Sequence, residues 1–192
     1  MKVDLDPGKF YVIGNNLALD FINTADYDLT LENLLSWAVA VNLVKTSEAQ
    51  DFAERWDGKD LGEIASFRKR LREAVISVVN KKKLPQADIQ WINTILRESG
   101  AYSELGESDA GFIKNIKIDI GKPDKIRIPI TESFVDLICY SDPELLRKCE
   151  REECILYFYD TTKNHRRRWC SMAICGNRAK AAKFYHKKKS ES

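Results

Sequence analysis

Four cysteines in the last third of the chain are spaced as two close pairs. Cys149 and Cys154 form the first pair, Cys170 and Cys175 form the second, and fifteen residues separate the pairs. Tetrahedral zinc binds four thiolates at about 2.3 Å, and two short loops can each supply two of them without strain. Because four thiolates leave no coordination position for water or substrate, we predict one structural zinc ion here rather than a catalytic metal.

Three other residues of zinc-binding types, Cys139, His165 and His186, are assigned different roles. Cys139 falls in an apolar segment that is predicted to be helical, which favours a buried thiol. Because the four paired cysteines already complete the site, we expect His165 and His186 to be exposed or to contact phosphates. The odd total of five cysteines also argues against a disulfide framework.

Positive charge is concentrated around the same cysteines. Residues 145–189 contain thirteen Lys and Arg against four Asp and Glu, a net charge of +9, whereas the whole chain carries +2. The remaining residues therefore carry −7, and this asymmetry favours an anionic partner over a merely solvated surface. Because arginine and lysine side chains match phosphate oxygens, we predict contacts with nucleic-acid phosphates from Arg166, Arg167, Arg168, Arg178, Lys180, Lys183 and Lys187.

The C-terminal region, residues 143–192, is predicted to form a small treble-clef-like ββα zinc module. Ile155–Tyr159 has the composition of a strand, His165–Trp169 is predicted to be the returning strand, and an amphipathic basic helix is predicted from Gly176 to about Lys188. So short a region, with few large aliphatic side chains, buries too little apolar surface to be stable alone. Zinc binding contributes about 10–16 kcal/mol in finger peptides, which would dominate its stability.

Residues 1–142 are predicted to form a mostly helical body. Residues 9–24 are predicted to start as an extended stretch and to pass after Gly14 into a short buried helix. Apolar residues recur every three or four positions within residues 31–44, 46–56, 60–83, 88–98 and 131–140, which is the helical period. After a polar loop over residues 100–110 the period becomes two, which predicts a β-hairpin with strands over residues 112–120 and 126–130. The fold class is therefore α+β, with the boundary between body and zinc module at Ser141, Asp142 and Pro143.

Two polar residues, Asp20 and Asn23, lie three positions apart in the apolar first helix. This spacing places both side chains on one face, and buried polar groups need hydrogen-bond partners. We prefer hydrogen bonds to neighbouring backbone over the alternative, a small-molecule pocket lined by the pair. Residues 1–140 contain no histidine, no Gly-rich phosphate loop and no paired acidic motif with a base, so we expect no enzyme activity.

Two motifs resemble known families. Residues 168–180, RWCSMAICGNRAK, resemble the CGNR zinc-finger signature, and the first cysteine pair with Asp160 and Asn164 fits the same pattern. Residues 14–24, GNNLALDFINT, resemble the LDFxNT motif that opens the ABATE domain, the usual N-terminal companion of that finger. The resemblance implies a bacterial, stress-induced transcription regulator whose finger binds DNA.

The leading hypothesis is a cytoplasmic regulator that binds duplex DNA through the zinc module, with a body that senses a small molecule or forms a homodimer. One alternative is an RNA- or protein-binding module, in which Tyr157, Tyr159 and Tyr185 stack on unpaired bases. Another is a small-molecule-binding protein whose finger mediates dimer contacts. The first residues lack the pattern of a secretory signal and no apolar run is long enough to span a bilayer, so we expect no membrane partner.

Overall fold

The computed structural model describes residues 4–56, 60–81, 83–98, 102–108, 111–117 and 123–182. Within these ranges the region before the paired cysteines is mostly helical, as the apolar periodicity predicts. None of the helices in these ranges combines the length and the apolar character needed to cross a bilayer. The α-helices are α1 (Leu17–Asn23), α2 (Leu31–Ala40), α3 (Thr46–Arg55), α4 (Asp60–Lys81), α5 (Gln86–Arg97) and α6 (Arg127–Tyr140).

Local side chains define where these helices start and stop. The Asn16 side chain accepts hydrogen bonds from the first backbone N–H groups of α1, and the Thr30 side chain accepts one from the Asn33 N–H at the start of α2. Helix α2 ends at Ala40, before the apolar pattern does, because Asn42 adopts a left-handed conformation with φ of 57°. The chain therefore turns sharply toward α3.

The core of the body surrounds α1, which packs against α4 and α6. The rings of Phe21, Trp37 and Phe134 are completely buried or nearly so. Phe21 lies 5.1 Å from Trp37 and 5.6 Å from Phe67, ring centre to ring centre, in tilted arrangements that aromatic side chains favour. Burial of each such ring contributes roughly 1.5–3 kcal/mol, so these rings stabilise the packing around α1.

The β-hairpin is present, but it lies earlier in the chain than the sequence predicts. Strand β1 (Tyr102–Ser108) pairs antiparallel with β2 (Gly111–Lys117), with Ser108 opposite Gly111. The prediction of a polar loop over residues 100–110 is therefore wrong for the segment that forms β1. Residues 118–120, at the end of the predicted first strand, lie outside the described part of the chain.

The predicted second strand, residues 126–130, is the start of a helix instead. A 3₁₀ turn over Pro123–Ile126 leads directly into α6. Ile126 and Ile130 lie four positions apart and are both completely buried, so they continue the apolar face of the helix. Short alternating apolar runs fit either structure, and Pro129 is tolerated because it lies in the first turn. Cys139, expected to be buried, is exposed near the end of α6.

The region after α6 forms the small β-structure and helix of the predicted zinc module, with a different strand pairing. Strand β3 (Leu146–Lys148) pairs antiparallel with β4 (Tyr157–Tyr159). The predicted returning strand His165–Trp169 adopts no regular secondary structure. A π-helical turn over Met172–Gly176 then continues as an α-helix through residues 177–182. The α+β class of the chain is confirmed.

Candidate metal centre and basic groove

The paired cysteines converge on one point, as their spacing predicts. All four side chains are buried, and their sulfur atoms lie within 4.8 Å of one another. The sulfurs of Cys170 and Cys175 are 3.4 Å apart, and those of Cys154 and Cys170 are 3.8 Å apart. Zn–S bonds of about 2.3 Å in a tetrahedron imply sulfur–sulfur distances of about 3.8 Å. The cluster therefore has the size of a tetrahedral zinc site.

Backbone hydrogen bonds close the two loops that supply these ligands. The Cys149 N–H donates to the carbonyl of Leu156, so the first loop opens from β3 and returns into β4. In the second loop, the N–H groups of Cys175 and Gly176 donate to the carbonyl of Ser171. The Cys170 N–H donates to the sulfur of Cys149 at 3.3 Å, a contact that favours the thiolate form.

The acid–base properties of the thiols show why a cation belongs at this site. Burial raises the pKa of Cys154 to about 11, and burial also raises the pKa of Cys170 beyond that of an ordinary thiol, helped by its cysteine neighbours. Burial opposes ionisation of Cys149 as well, but N–H donors bring its pKa below the ordinary value. Four thiolates at these separations repel one another, and a divalent ion compensates half of their charge.

The donor set, the burial and the distances fit one structural zinc ion. Four sulfur ligands complete a tetrahedron, and no position is left for water or a reacting group. The residues that would hold the metal are Cys149, Cys154, Cys170 and Cys175. When bound, zinc supplies the positive charge that fixes both loops, and it adds no Lewis-acid chemistry toward an external substrate.

A buried carboxylate, Asp160, fixes the segment between β4 and the second cysteine pair. It accepts hydrogen bonds from the N–H and hydroxyl of Thr162 and from the N–H of Arg167, at 2.6–3.0 Å. Burial opposes ionisation, but these hydrogen bonds and the nearby Arg147 guanidinium hold the pKa of Asp160 below its ordinary value. The turn that carries the basic residues is therefore rigidly attached to the zinc module.

Arg167 differs from its basic neighbours because its guanidinium is already engaged within the protein. It donates to the carbonyls of Trp169 at 3.1 Å and of Ile13 at 2.9 Å, and it also donates to the carbonyl of Cys170. Its charged group stacks 4.2 Å from the centre of the Phe158 ring. Arg167 therefore joins the zinc loop to the N-terminal segment, and its contact with phosphates stays a prediction.

The other basic residues that the sequence selects are exposed where the structure describes them. Arg166, Arg178 and Lys180 are exposed and make no ion pair with another described residue. Arg168 is also exposed, but it forms a 2.6 Å ion pair with Glu150 and stacks on Trp169. Lys183 and Lys187 lie outside the described residues, as do Tyr185 and His186. His165 is exposed, as expected.

An open groove of about 740 Å³ lies between the basic turn and the start of the C-terminal helix. We call it the finger groove. The part of its lining that the structure describes contains no carboxylate, and it includes Lys163, Thr161 and Thr162, which the charge pattern alone did not single out. Lys163, like Arg166, has no ion pair among the described residues. The groove is lined by Ile13, Asn15, Thr161, Thr162, Lys163, Asn164, Arg166, Arg167, Arg168, Trp169, Cys170, Ser171 and Met172.

Asp20 and Asn23 lie where the body meets the zinc module. The Asn23 side chain donates to the carbonyl of Tyr157 at 2.8 Å and accepts from its N–H at 2.9 Å, and so pairs with β4 as another strand would. Asp20 accepts hydrogen bonds from the N–H groups of Ile13 and Gly14. These are the backbone partners that we preferred from the sequence.

The surroundings of Asp20 also include a small internal space. Burial raises the pKa of Asp20 to about 6, although backbone hydrogen bonds and Arg167 act in the opposite direction. A cavity of about 10 Å³, enough for one water molecule, lies beside Asp20, Asn23 and Trp37. The role of Asp20 and Asn23 in binding a small molecule stays a prediction.

Additional hydrogen bonds attach the zinc module to the body. The Arg72 guanidinium of α4 donates to the carbonyl of Ile155 at 2.5 Å, and the Tyr159 N–H donates to the carbonyl of Gly14 at 2.8 Å. Leu146 and Tyr157 of the zinc module are buried in the same apolar core as the body helices. The two regions therefore share a packed interface.

The molecule is thus a zinc-finger protein, with a four-cysteine module fixed to a helical body. A model of the CGNR zinc finger matches residues 146–188, and a model of the ABATE family, described as a putative stress-induced transcription regulator, matches residues 15–139. Because the second match covers more than half of the chain, the protein belongs to the ABATE family. A search of curated proteins finds no match.

Proposed function

We propose that the protein is a transcription regulator that binds duplex DNA through the finger groove. The observation that carries this proposal is the charge of the groove: among the described residues, its lining contains four Lys and Arg residues and no carboxylate. Two of these cations, Lys163 and Arg166, have no ion pair among the described residues. A polyanion is the partner that such a surface attracts most strongly.

The chemistry of the groove fits phosphates in particular. Arginine presents a planar set of donors that matches phosphate oxygens, and the hydroxyl of Thr161 adds a neutral donor beside it. Arg178 and Lys180 extend the positive charge onto the adjacent helix. Arg167 acts as a positioning residue in this proposal, because its guanidinium holds the groove to the N-terminal segment.

The metal has an architectural role in the proposed function. Four sulfur ligands leave zinc no position for a substrate, so a binding role fits better than an enzymatic one. The site also requires reduced thiols, which fits action in the reducing cytoplasm. In the body, the packed interface beside Asp20 and Asn23 offers a route by which a small-molecule effector or dimer formation would influence the finger.

A salt titration with duplex DNA tests the proposal. With Lys163, Arg166, Arg168, Arg178 and Lys180 each neutralising one phosphate, the logarithm of the affinity falls against the logarithm of salt concentration with a slope of about −4 to −5. Replacing both Lys163 and Arg166 with Ala reduces that slope by about 2. Lys69→Ala is the matched control, because Lys69 is exposed on α4, outside the groove. No binding at low salt would overturn the proposal.

A competition experiment separates duplex DNA from single-stranded RNA. Stacking on unpaired bases needs exposed aromatic rings, yet Tyr157 is buried and the half-buried Tyr159 uses its hydroxyl to accept from the Asp142 N–H. Duplex DNA is therefore expected to displace RNA from the protein. Stronger binding of the RNA would favour the alternative.

A further inference from the structure

Met172 is an exposed apolar side chain at the edge of the finger groove. About half of its surface is accessible, 51%, although it lies only two residues after the zinc ligand Cys170. Single exposed apolar residues are common on protein surfaces and by themselves indicate nothing. The packing contacts of Met172, however, limit where its side chain lies, and the charges around it limit which partner can bind there.

The Met172 side chain packs against Gly176. A Cβ atom at Gly176 would lie 2.2 Å from the sulfur of Met172 and 3.3 Å from Cε3 of Trp169. A side chain at Gly176 would therefore displace the Met172 thioether, which packs on the glycine backbone beside the Trp169 ring. The glycine thus leaves room for the Met172 side chain, whose accessible part lines the finger groove.

The charges around Met172 restrict its partner. It shares the finger groove with Lys163 and Arg166, and no carboxylate lines the groove within the described ranges of the chain. A partner that covers this surface must offer negative charge to the cations and an apolar surface to the thioether. Duplex DNA offers both, since phosphates line the edges of the DNA grooves and the faces of the base pairs are apolar.

We propose that Met172 is a wedge that inserts between base pairs when DNA occupies the finger groove. This inference rests on the proposed function, and it adds a contact with bases to a surface that otherwise contacts phosphates. Apolar side chains that enter a base step unstack it partly and kink the duplex. The phosphate contacts of Lys163 and Arg166 would hold the duplex while Met172 enters.

The test uses the full-length, zinc-loaded protein and a duplex that contains the fluorescent base 2-aminopurine, whose emission rises when it unstacks. A set of duplexes carries the probe at successive positions. With the wild-type protein we expect increased emission at one step of the bound duplex. Met172→Ala is expected to abolish that increase and to weaken binding about tenfold, which is the scale of burying one such side chain.

Three controls make the result specific. Met172→Leu keeps an apolar side chain of similar volume and is expected to retain the emission increase. Tyr140→Ala removes an apolar side chain that is 85% exposed on α6, and it is expected to change neither emission nor affinity. Bound zinc is measured for every variant, so that loss of the fold is recognised separately.

The outcomes separate the two proposals. If wild-type protein binds DNA with the steep salt dependence but no probe position unstacks, or if Met172→Ala behaves as wild type, the wedge is wrong and the DNA-binding function stands. If wild-type protein binds no DNA, both are wrong. Retained unstacking in Met172→Leu together with its loss in Met172→Ala supports the wedge.

Discussion

The body and the zinc finger are stabilised in different ways, although they share an interface. The body buries large apolar side chains such as Phe21, Trp37 and Phe134 around α1. The apolar cluster of the finger consists of the four ligand cysteines with Leu156 and Phe158, against which Ile13, Ile155, Trp169 and Ile174 are partly buried. The body thus depends on apolar burial and the finger on its metal and on buried polar contacts such as those of Asp160.

The largest expected effect comes from removing the metal. Chelation, or Cys170→Ser, removes a contribution of about 10 kcal/mol or more from the finger, while the body keeps its apolar core. We expect circular dichroism at 222 nm to retain most of the helical signal, while the fluorescence of Trp169 changes and bound zinc is lost.

Cys139→Ser is the matched control for this prediction, because Cys139 is an exposed cysteine outside the cluster. It is expected to leave zinc content and both spectra unchanged. Complete loss of helical signal on chelation would show that the body depends on zinc as much as the finger does, and the contrast between the two regions would then be wrong.

A smaller effect is expected at the interface between the regions. Asn23→Ala leaves the buried N–H and carbonyl of Tyr157 without their partner, which costs about 1–3 kcal/mol for each group. We expect the free energy of unfolding, measured by urea denaturation, to decrease by about 2–6 kcal/mol. Asn93→Ala, an exposed position on α5, is the control and should change it by less than about 0.5 kcal/mol.

Denaturation followed by two signals would sharpen this test. If the body and the finger unfold together in wild-type protein but separately in Asn23→Ala, the side chain couples the two regions. An unchanged free energy of unfolding would mean that Tyr157 finds other partners, and Asn23 would then have no role in the coupling.

The smallest expected effect concerns pH. Because the pKa of Asp20 is raised from 3.8 to about 6 in the folded protein, the folded state holds this proton more strongly than the unfolded state. Its stabilising contribution is complete below pH 4 and is lost as pH rises through 6, by about 3 kcal/mol in total. Asp20→Asn can still accept from the Ile13 and Gly14 N–H groups and removes the titration.

The measurement is the free energy of unfolding of both proteins between pH 4 and pH 7. Subtracting one curve from the other removes the contribution of the other titrating groups. As pH rises across this window, the free energy of unfolding of Asp20→Asn should increase relative to that of the wild-type protein. A constant difference would show that Asp20 ionises normally and that the interface carries no cost from a buried charge.

The sequence was informative where one physical constraint dominates. The cysteine spacing predicts the zinc site because four sulfurs must reach one ion, and the apolar period predicts the helices because each has one buried face. The run containing Ile126, Ile128 and Ile130 was misread since it is too short to distinguish a period of two from a helical period. All three side chains are buried against the body, and this tertiary packing selects the helix.

The pairing and docking of the finger could not be read from the sequence. Strand β4 pairs with β3, before the first ligand, and the predicted partner His165–Trp169 instead supplies backbone acceptors for arginine. Composition marks Arg167 as one of three equivalent arginines, and only the fold places it against Ile13. Such assignments depend on contacts between residues that are far apart in the chain.

The attachment of the finger to the body runs largely through main-chain atoms. Asn23 pairs with the backbone of Tyr157, Arg72 reaches the carbonyl of Ile155, and Gly14 accepts from the N–H of Tyr159. Every amino acid except proline offers these same groups. Side chains along this part of the finger can therefore differ while these main-chain contacts remain, and one helical body can carry fingers with different surface residues.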